Sequence, residues 1–179
     1  MNRRLLLVAL FSALSISMGY ILSSVPNVEL MSLCVFLGGV YTGVLGGVAV
    51  GVLAITIYSL FNPFGPPLPQ LLVAQILSFA IIGFSGSILA FVIKGRKKVF
   101  IAVVSGIIGF LVTLLYDTLT TLATAIVVSG GVDLSQSLKG VFISGSFFIV
   151  LHVLSNTAIF AFTTPAVVEA VNLWKERSG

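Results

Sequence analysis

The segment LLYDTLTTLATA, Leu114 to Ala125, sets one carboxylate and four threonines inside a stretch that otherwise reads as continuous hydrocarbon. Thr113, Asp117, Thr120, Thr121 and Thr124 recur at three- and four-residue steps, so on a helix they form one stripe. An ionised carboxylate at a bilayer centre costs about 3 kcal/mol even on the lenient insertion scale. The stripe therefore faces a bundle interior or a watery cavity, and Asp117 needs a partner. A second polar set offers one, because Ser144, Phe148, His152, Ser155 and Asn156 also fall close to one helical face. At ~1.5 Å per residue Asp117 lies about 16 Å below Val128, and His152 about 21 Å below Leu138. Those depths are comparable, and a His–Asp contact there would make a small polar pocket in an apolar wall.

Two readings of that pocket stand side by side. Asp117 and His152, with Tyr116 and Asn156, form a buried network that holds two helices in register, or they line and support a ligand cavity. Near the outward ends of the spans, Asn27, Glu29, Asn62, Gln70 and Gln75 add donors and acceptors at the mouth of such a cavity. Glu29 reads equally well as an acid at the start of a helix. Phe61, Phe64, Phe147 and Phe148 are candidates to stack on a ligand ring, or are lipid-facing and core residues like other phenylalanines of the chain.

Other chemistries lack their machinery. A lone histidine cannot supply an HExxH zinc site, no Gly-rich phosphate loop with its lysine is present, and no second aspartate lies at intramembrane depth to make a protease dyad. Cys34 is the only cysteine, which excludes an intrachain disulfide and a cysteine-based metal cluster. The sequence thus implies no catalytic residue, no metal and no cofactor. It contains no ATPase, and no two-half duplication of the kind many secondary transporters carry. The net charge of +4 needs no nucleic-acid partner, since no basic patch is interleaved with aromatics.

What must position these residues follows from composition. With 58% hydrophobic and 8% charged residues and a mean hydropathy of +1.22, the chain is an all-α integral membrane protein. Runs near the ~20 residues needed to cross a bilayer predict six spans, at 5–23, 30–41, 44–61, 68–93, 99–128 and 138–174. The second is short and the last two are over-long, which implies tilt, extensions beyond the lipid, or a compact bundle. Arg3 and Arg4 precede the first span, Lys94, Arg96, Lys97 and Lys98 separate the fourth and fifth, and Lys175 and Arg177 follow the sixth. Six crossings put all three clusters on one side, and the positive-inside rule makes that side, with both termini, cytoplasmic. The basic start and apolar middle of the first span resemble a signal peptide, but the chain runs straight on into another apolar segment, as a retained helix does. No loop is long enough for a soluble domain, so residues 1–179 are expected to form a single transmembrane domain.

Small residues and prolines punctuate this frame. Gly39, Gly43, Gly47 and Gly51 follow a four-residue period, the spacing that lets helix backbones approach in lipid, with a very tight turn at Tyr41-Thr42-Gly43. Ala9 and Ala13 offer a similar docking face on the first helix. FNPFGPPLP, Phe61 to Pro69, holds four prolines and excludes a helix until about Pro69, either as a helix stop or also as a cap over a site.

Taken in order, these elements resemble the substrate-binding membrane subunits (S components) of energy-coupling factor (ECF) transporters for vitamins. The likeness rests on six spans in a short chain, Ala9-xxx-Ala13, PNVEL (26–30), the glycine-rich second and third segments, FNPFGPP (61–67), YDTLTTLA (116–123) and HVLSN (152–156), and it covers nearly the whole chain. The resemblance implies a vitamin-like small-molecule substrate captured in an outward-facing pocket. It also implies docking through Ala9 and Ala13 onto a transmembrane energy-coupling subunit that carries two ATP-binding cassette ATPases. Toppling of the subunit in the bilayer would then deliver the substrate inward, across the plasma membrane of a prokaryote. On this view Asn27, Glu29, Asn62, Phe64, Gln70, Gln75, Tyr116, Asp117, His152 and Asn156 are pocket candidates. A subunit of structural or assembly type with no ligand of its own, or an intramembrane enzyme using His152 and Asp117, would draw on the same residues.

Overall fold

The structure, a computed structural model, describes residues 3–23, 29–130 and 133–178, without the side chains of Lys175 and Ser178. Among the described residues it is all helical: α1 (Arg3–Ile21), α2 (Met31–Leu60), α3 (Pro69–Val92), α4 (Lys98–Ser129) and α5 (Leu134–Ser178). All five are long and apolar enough to cross a membrane. The boundaries lie close to the expected spans except in two places. The final helix starts at Leu134 and runs 45 residues, about 67 Å and far more than a hydrocarbon core of ~30 Å. The expected second and third spans are joined in α2.

The junction within α2 is Gly43, whose φ of 74° and ψ of −174° are non-helical. Only glycine reaches that backbone region without strain, so no separate loop is needed to redirect the chain. The two arms of α2 then lie side by side. A Cβ built on Gly38 would sit 3.1 Å from Val50 Cγ1, and one on Gly47 would sit 2.7 Å from Gly39 Cα. Residues twelve apart on a straight helix are separated by about 18 Å. Six separate spans were expected, and the structure has five helices with this one internal break, because a single glycine does the work of a turn.

The first arm of α2 is the centre of the molecule. Met31 to Gly39 are all buried, as suits a segment that is apolar around its whole circumference apart from Ser32. Phe36 is fully enclosed and packs on Phe160 of α5 with ring centroids 4.9 Å apart. Around it, α1 packs on α2, α3 lies against α2 and α4, and α5 lies against α4 and touches α2.

The seam between α2 and α3 is made of backbone. A Cβ on Gly39 or Gly47 would collide with the Gly83 carbonyl, one on Gly83 with the Gly47 carbonyl, one on Gly51 with the Phe79 carbonyl, and one on Gly86 with the Phe36 carbonyl. In lipid there is no hydrophobic gain from bringing two apolar helices together, so close van der Waals approach must hold them. Of the expected glycine series, Gly39, Gly47 and Gly51 make half of a seam whose other half α3 supplies, whereas Gly43 is the break in the helix.

At one end of the molecule Arg3, Arg4, Arg96 and Lys98 gather. Arg3 and Arg4 line a cavity of about 970 Å³ together with Tyr41, Gly43 and Trp174. Lys98 Nζ lies 2.6 Å from Glu169 Oε2. Both groups of that pair are more than half exposed, so it fixes geometry more than it stabilises. The start of α1, the α2 break, the start of α4 and the last turns of α5 thus share one end.

Gly83→Ala is expected to lower stability by about 1–3 kcal/mol, the usual cost of forcing a methyl group into a closed contact. Gly140→Ala on α5, where an added Cβ meets nothing within 4 Å, is expected to be neutral or slightly stabilising. Thermal unfolding of the two variants in the same detergent measures the difference; equal melting points would remove the seam as a structural determinant.

Candidate functional site

Thr113, Asp117 and Asn156 are buried because the helical period of α4 and α5 turns their polar faces toward each other. Asp117 Oδ1 lies 2.8 Å from His152 Nδ1, and each side chain is only 10% exposed. On the other edge of the ring, His152 Nε2 lies 3.2 Å from Glu29 Oε2 and 3.1 Å from the Asn156 amide. The same amide is 3.2 Å from Thr113 Oγ1. An ionised carboxylate only accepts and an imidazole nitrogen donates when it carries a proton, so each edge of the ring stands where it can donate to one carboxylate. Asn156 Nδ2 is the amide atom that faces the ring, and it donates to Thr113 Oγ1.

The result is a row of Asp117, His152 and Glu29 that ties α4, α5 and the approach to α2 together. Removing one member of such a buried pair leaves an uncompensated charge and costs about 3–5 kcal/mol. Tyr116 closes one side of the row. Its ring meets His152 edge-on with centroids 5.9 Å apart and meets Phe79 of α3 at the same distance. The Tyr116 phenol is within hydrogen-bonding reach of Gln75, whose Oε1 accepts from Ser59 Oγ at 2.9 Å. A polar thread therefore runs from α2 through α3 to α4 and α5.

Of the residues expected at the site, Glu29, Gln75, Tyr116, Asp117, His152 and Asn156 are brought together. Asn27 lies outside the described residues. Asn62 Oδ1 accepts from the Phe64 backbone N–H at 2.9 Å, which shapes the proline-rich turn, and the side chain is also within hydrogen-bonding reach of the Tyr58 phenol. Phe64 is 81% exposed at the tip of that turn. Gln70 is exposed and sits in a groove between α3 and α4 with Pro69, Val73 and Leu77. Phe64 and Gln70 thus stand apart from the network, Phe64 at the tip of the turn and Gln70 in the first turn of α3, on the side that faces the groove.

The threonine stripe also divides. Thr113 contacts Asn156, Thr120 and Thr124 donate to carbonyls four residues back in their own helix, and Thr121 lines a cavity between α4 and α5. Phe147 and Phe148 stack edge-on with each other and are both exposed, as is Ser144. Ser59 and Phe79, which support the site from α2 and α3, carry no sequence signal. A single serine or phenylalanine among apolar neighbours has no periodic partner to mark it.

On α1 the buried residues are Ser12 and Ser15, and Ser15 Oγ donates to the Met31 carbonyl at 2.9 Å. Ala9 and Ala13 lie on the opposite, exposed face with Leu5, Leu6, Leu10 and Leu14.

Comparison with curated proteins and with solved structures finds no match. Residues 3–169, from the start of α1 well into α5, match the family model described as ECF transporter, substrate-specific component. Members of that family are substrate-binding membrane subunits that leave ATP hydrolysis to partner subunits, so this chain is no enzyme. With its helices apolar and long enough to cross a bilayer and a buried polar network between them, this multi-pass membrane protein belongs to the ECF transporter substrate-specific component family.

Proposed function

We propose that this chain captures a vitamin or related micronutrient from outside the cell and delivers it by docking on a shared energy-coupling module, in the plasma membrane of a prokaryote. That module comprises a transmembrane coupling subunit and two ABC ATPases. The observation that carries the reading is the Glu29–His152–Asp117 row, which spends three ionisable groups at a depth where lipid gives them no solvation. Glu29, Gln75, Tyr116, Asp117, His152 and Asn156 form the pocket floor and wall. Asn27, Asn62 and Phe64 belong to the outward connections that cover it, and Gln70 lies at its margin.

The reading includes a topology. Residues 1–179 form one transmembrane domain that crosses the bilayer six times, with the arms of α2 as two of the passes and both termini cytoplasmic. Support comes from the reversal at Gly43 and from the basic groups at the end shared by α1, α4 and α5. Ala9 and Ala13 dock on the coupling subunit: they lie on an exposed α1 face whose small side chains admit a second helix. One observation favours the alternative, a structural or assembly subunit with no ligand, namely that both ring nitrogens of His152 already have partners within the chain.

Native mass spectrometry of the gently extracted chain tests the function. A stoichiometric small-molecule adduct is expected, and a chain that stays bare after incubation with a vitamin panel would hand the case to the structural alternative. His152→Gln is expected to reduce retention of that adduct by about tenfold or more, the worth of a hydrogen bond to a charged group. Ala9→Trp and Ala13→Trp are expected to leave the adduct in place and to prevent co-purification with the coupling subunit. Loss of both properties together would assign α1 to folding instead.

A further inference from the structure

The cavity at the basic end is a cleft between two helices whose backbones stay apart, since α1 packs on α2 and not on α5. Arg3, Arg4, Leu7, Leu10 and Phe11 of α1 form one wall, and Val167, Val171 and Trp174 of α5 the other. Tyr41, Thr42 and Gly43, at the break in α2, form the floor. At about 970 Å³ the cleft is within the range that small-molecule sites occupy. A bilayer fills such a space, because a void forfeits dispersion contacts on both walls.

Both walls change character in the same direction. Along α1 the lining passes from Arg3 and Arg4 to Leu7, Leu10 and Phe11 within about 10 Å, and along α5 from Trp174 to Val171 and Val167 over the same rise. Tryptophan and arginine belong at the level of lipid headgroups, and leucine and valine at the level of the chains. The lining thus follows a phospholipid from its headgroup to its hydrocarbon.

Charge selects among lipids. Two guanidinium groups line the cleft and, among the described residues, no carboxylate does. Glu169 and Glu176 of α5 line a separate cavity with Arg96 and Lys98. A Cβ built on Gly43 would sit 3.5 Å from Arg4 Nη2, so that guanidinium lies at the break in α2. It carries five donors and can face the break and a ligand at once. Guanidinium groups take phosphate through paired, charge-assisted hydrogen bonds.

We propose that this cleft holds one anionic phospholipid, with its phosphate at Arg3 and Arg4 and an acyl chain between α1 and α5. The proposed topology puts this end in the cytoplasmic leaflet, whose anionic lipids attract basic segments. The site is separate from the polar row, because Gly43 lies twelve residues, about 18 Å, along α2 from Met31.

Titration of the full purified chain, stripped of lipid in detergent, tests the proposal by native mass spectrometry and thermal unfolding. Phosphatidylglycerol is expected to give one retained adduct and a higher melting point. Phosphatidylcholine, which is zwitterionic, and glycerol 3-phosphate, which has the phosphate without the chains, are expected to give neither. Arg3→Gln combined with Arg4→Gln should weaken phosphatidylglycerol retention by about tenfold or more, as loss of bonds to a charged group does. Lys94→Gln combined with Lys97→Gln removes the same charge from the α3–α4 connection and should leave retention unchanged. Val171→Trp keeps both arginines and fills the cleft, so it should abolish the adduct while the lipid-free melting point stays near that of the parent. Equal retention of phosphatidylcholine, an equal response to glycerol 3-phosphate, equal loss in the two charge-removing pairs, or full retention in Val171→Trp would overturn the proposal. Absence of any phosphatidylglycerol adduct would also overturn it, and loss of the coupling subunit from the Arg3→Gln, Arg4→Gln chain would then give the cleft to that subunit.

Discussion

A carboxylate inside a bilayer has no solvent, and the architecture follows from the need to give Asp117 one from within the chain. His152 is the partner, and it reaches Asp117 only if α4 and α5 run side by side at matched depth. Glu29 then completes the second edge of the ring, which fixes where the chain enters α2. One buried contact thus sets the mutual height of three segments that are far apart in sequence. The same low dielectric that makes the contact strong makes any failure to form it expensive.

The framework that permits this contact is held by backbone rather than by large side chains. The glycines of α2 and α3 bring main chains into direct contact, which in lipid replaces the hydrophobic drive that a soluble core enjoys. The centre is consequently rigid, with Phe36, Phe79 and Phe160 enclosed around it. The first half of α5 is its opposite, with Phe142, Ile143, Phe147 and Phe148 exposed. A stiff interior thus stands beside a less covered α4–α5 edge.

The polar row and the exposed face of α1 lie apart, and α1 packs on α2 alone among the other helices. Glu29 stands two residues before α2, and the Met31 carbonyl accepts from Ser15 on the buried face of α1. The polar row and the helix bearing Ala9 and Ala13 are therefore joined by a short run of chain and one hydrogen bond. Ala9 and Ala13 stay exposed while the carboxylates are kept inside.

The sequence by itself determined the class, the approximate spans, the need to bury Asp117, and His152 as its partner. Hydropathy and helical period are local properties, and with one histidine in the chain the choice of cation at that depth was narrow. Tertiary structure decided the rest. Glu29 meets His152 across 123 positions, and no periodicity links a residue before α2 to one in the middle of α5. Gln75 joins Ser59 and approaches Tyr116, whereas Gln70, five residues earlier on the same helix, faces another groove; five residues turn a helix by about 140°. Gly43 was legible as a tight turn, but α2 continuing through it, and its first arm becoming the buried centre, depended on α1, α3 and α5 closing around Met31–Gly39. A helical pattern names the face that is buried; which neighbour covers it is a property of the whole bundle.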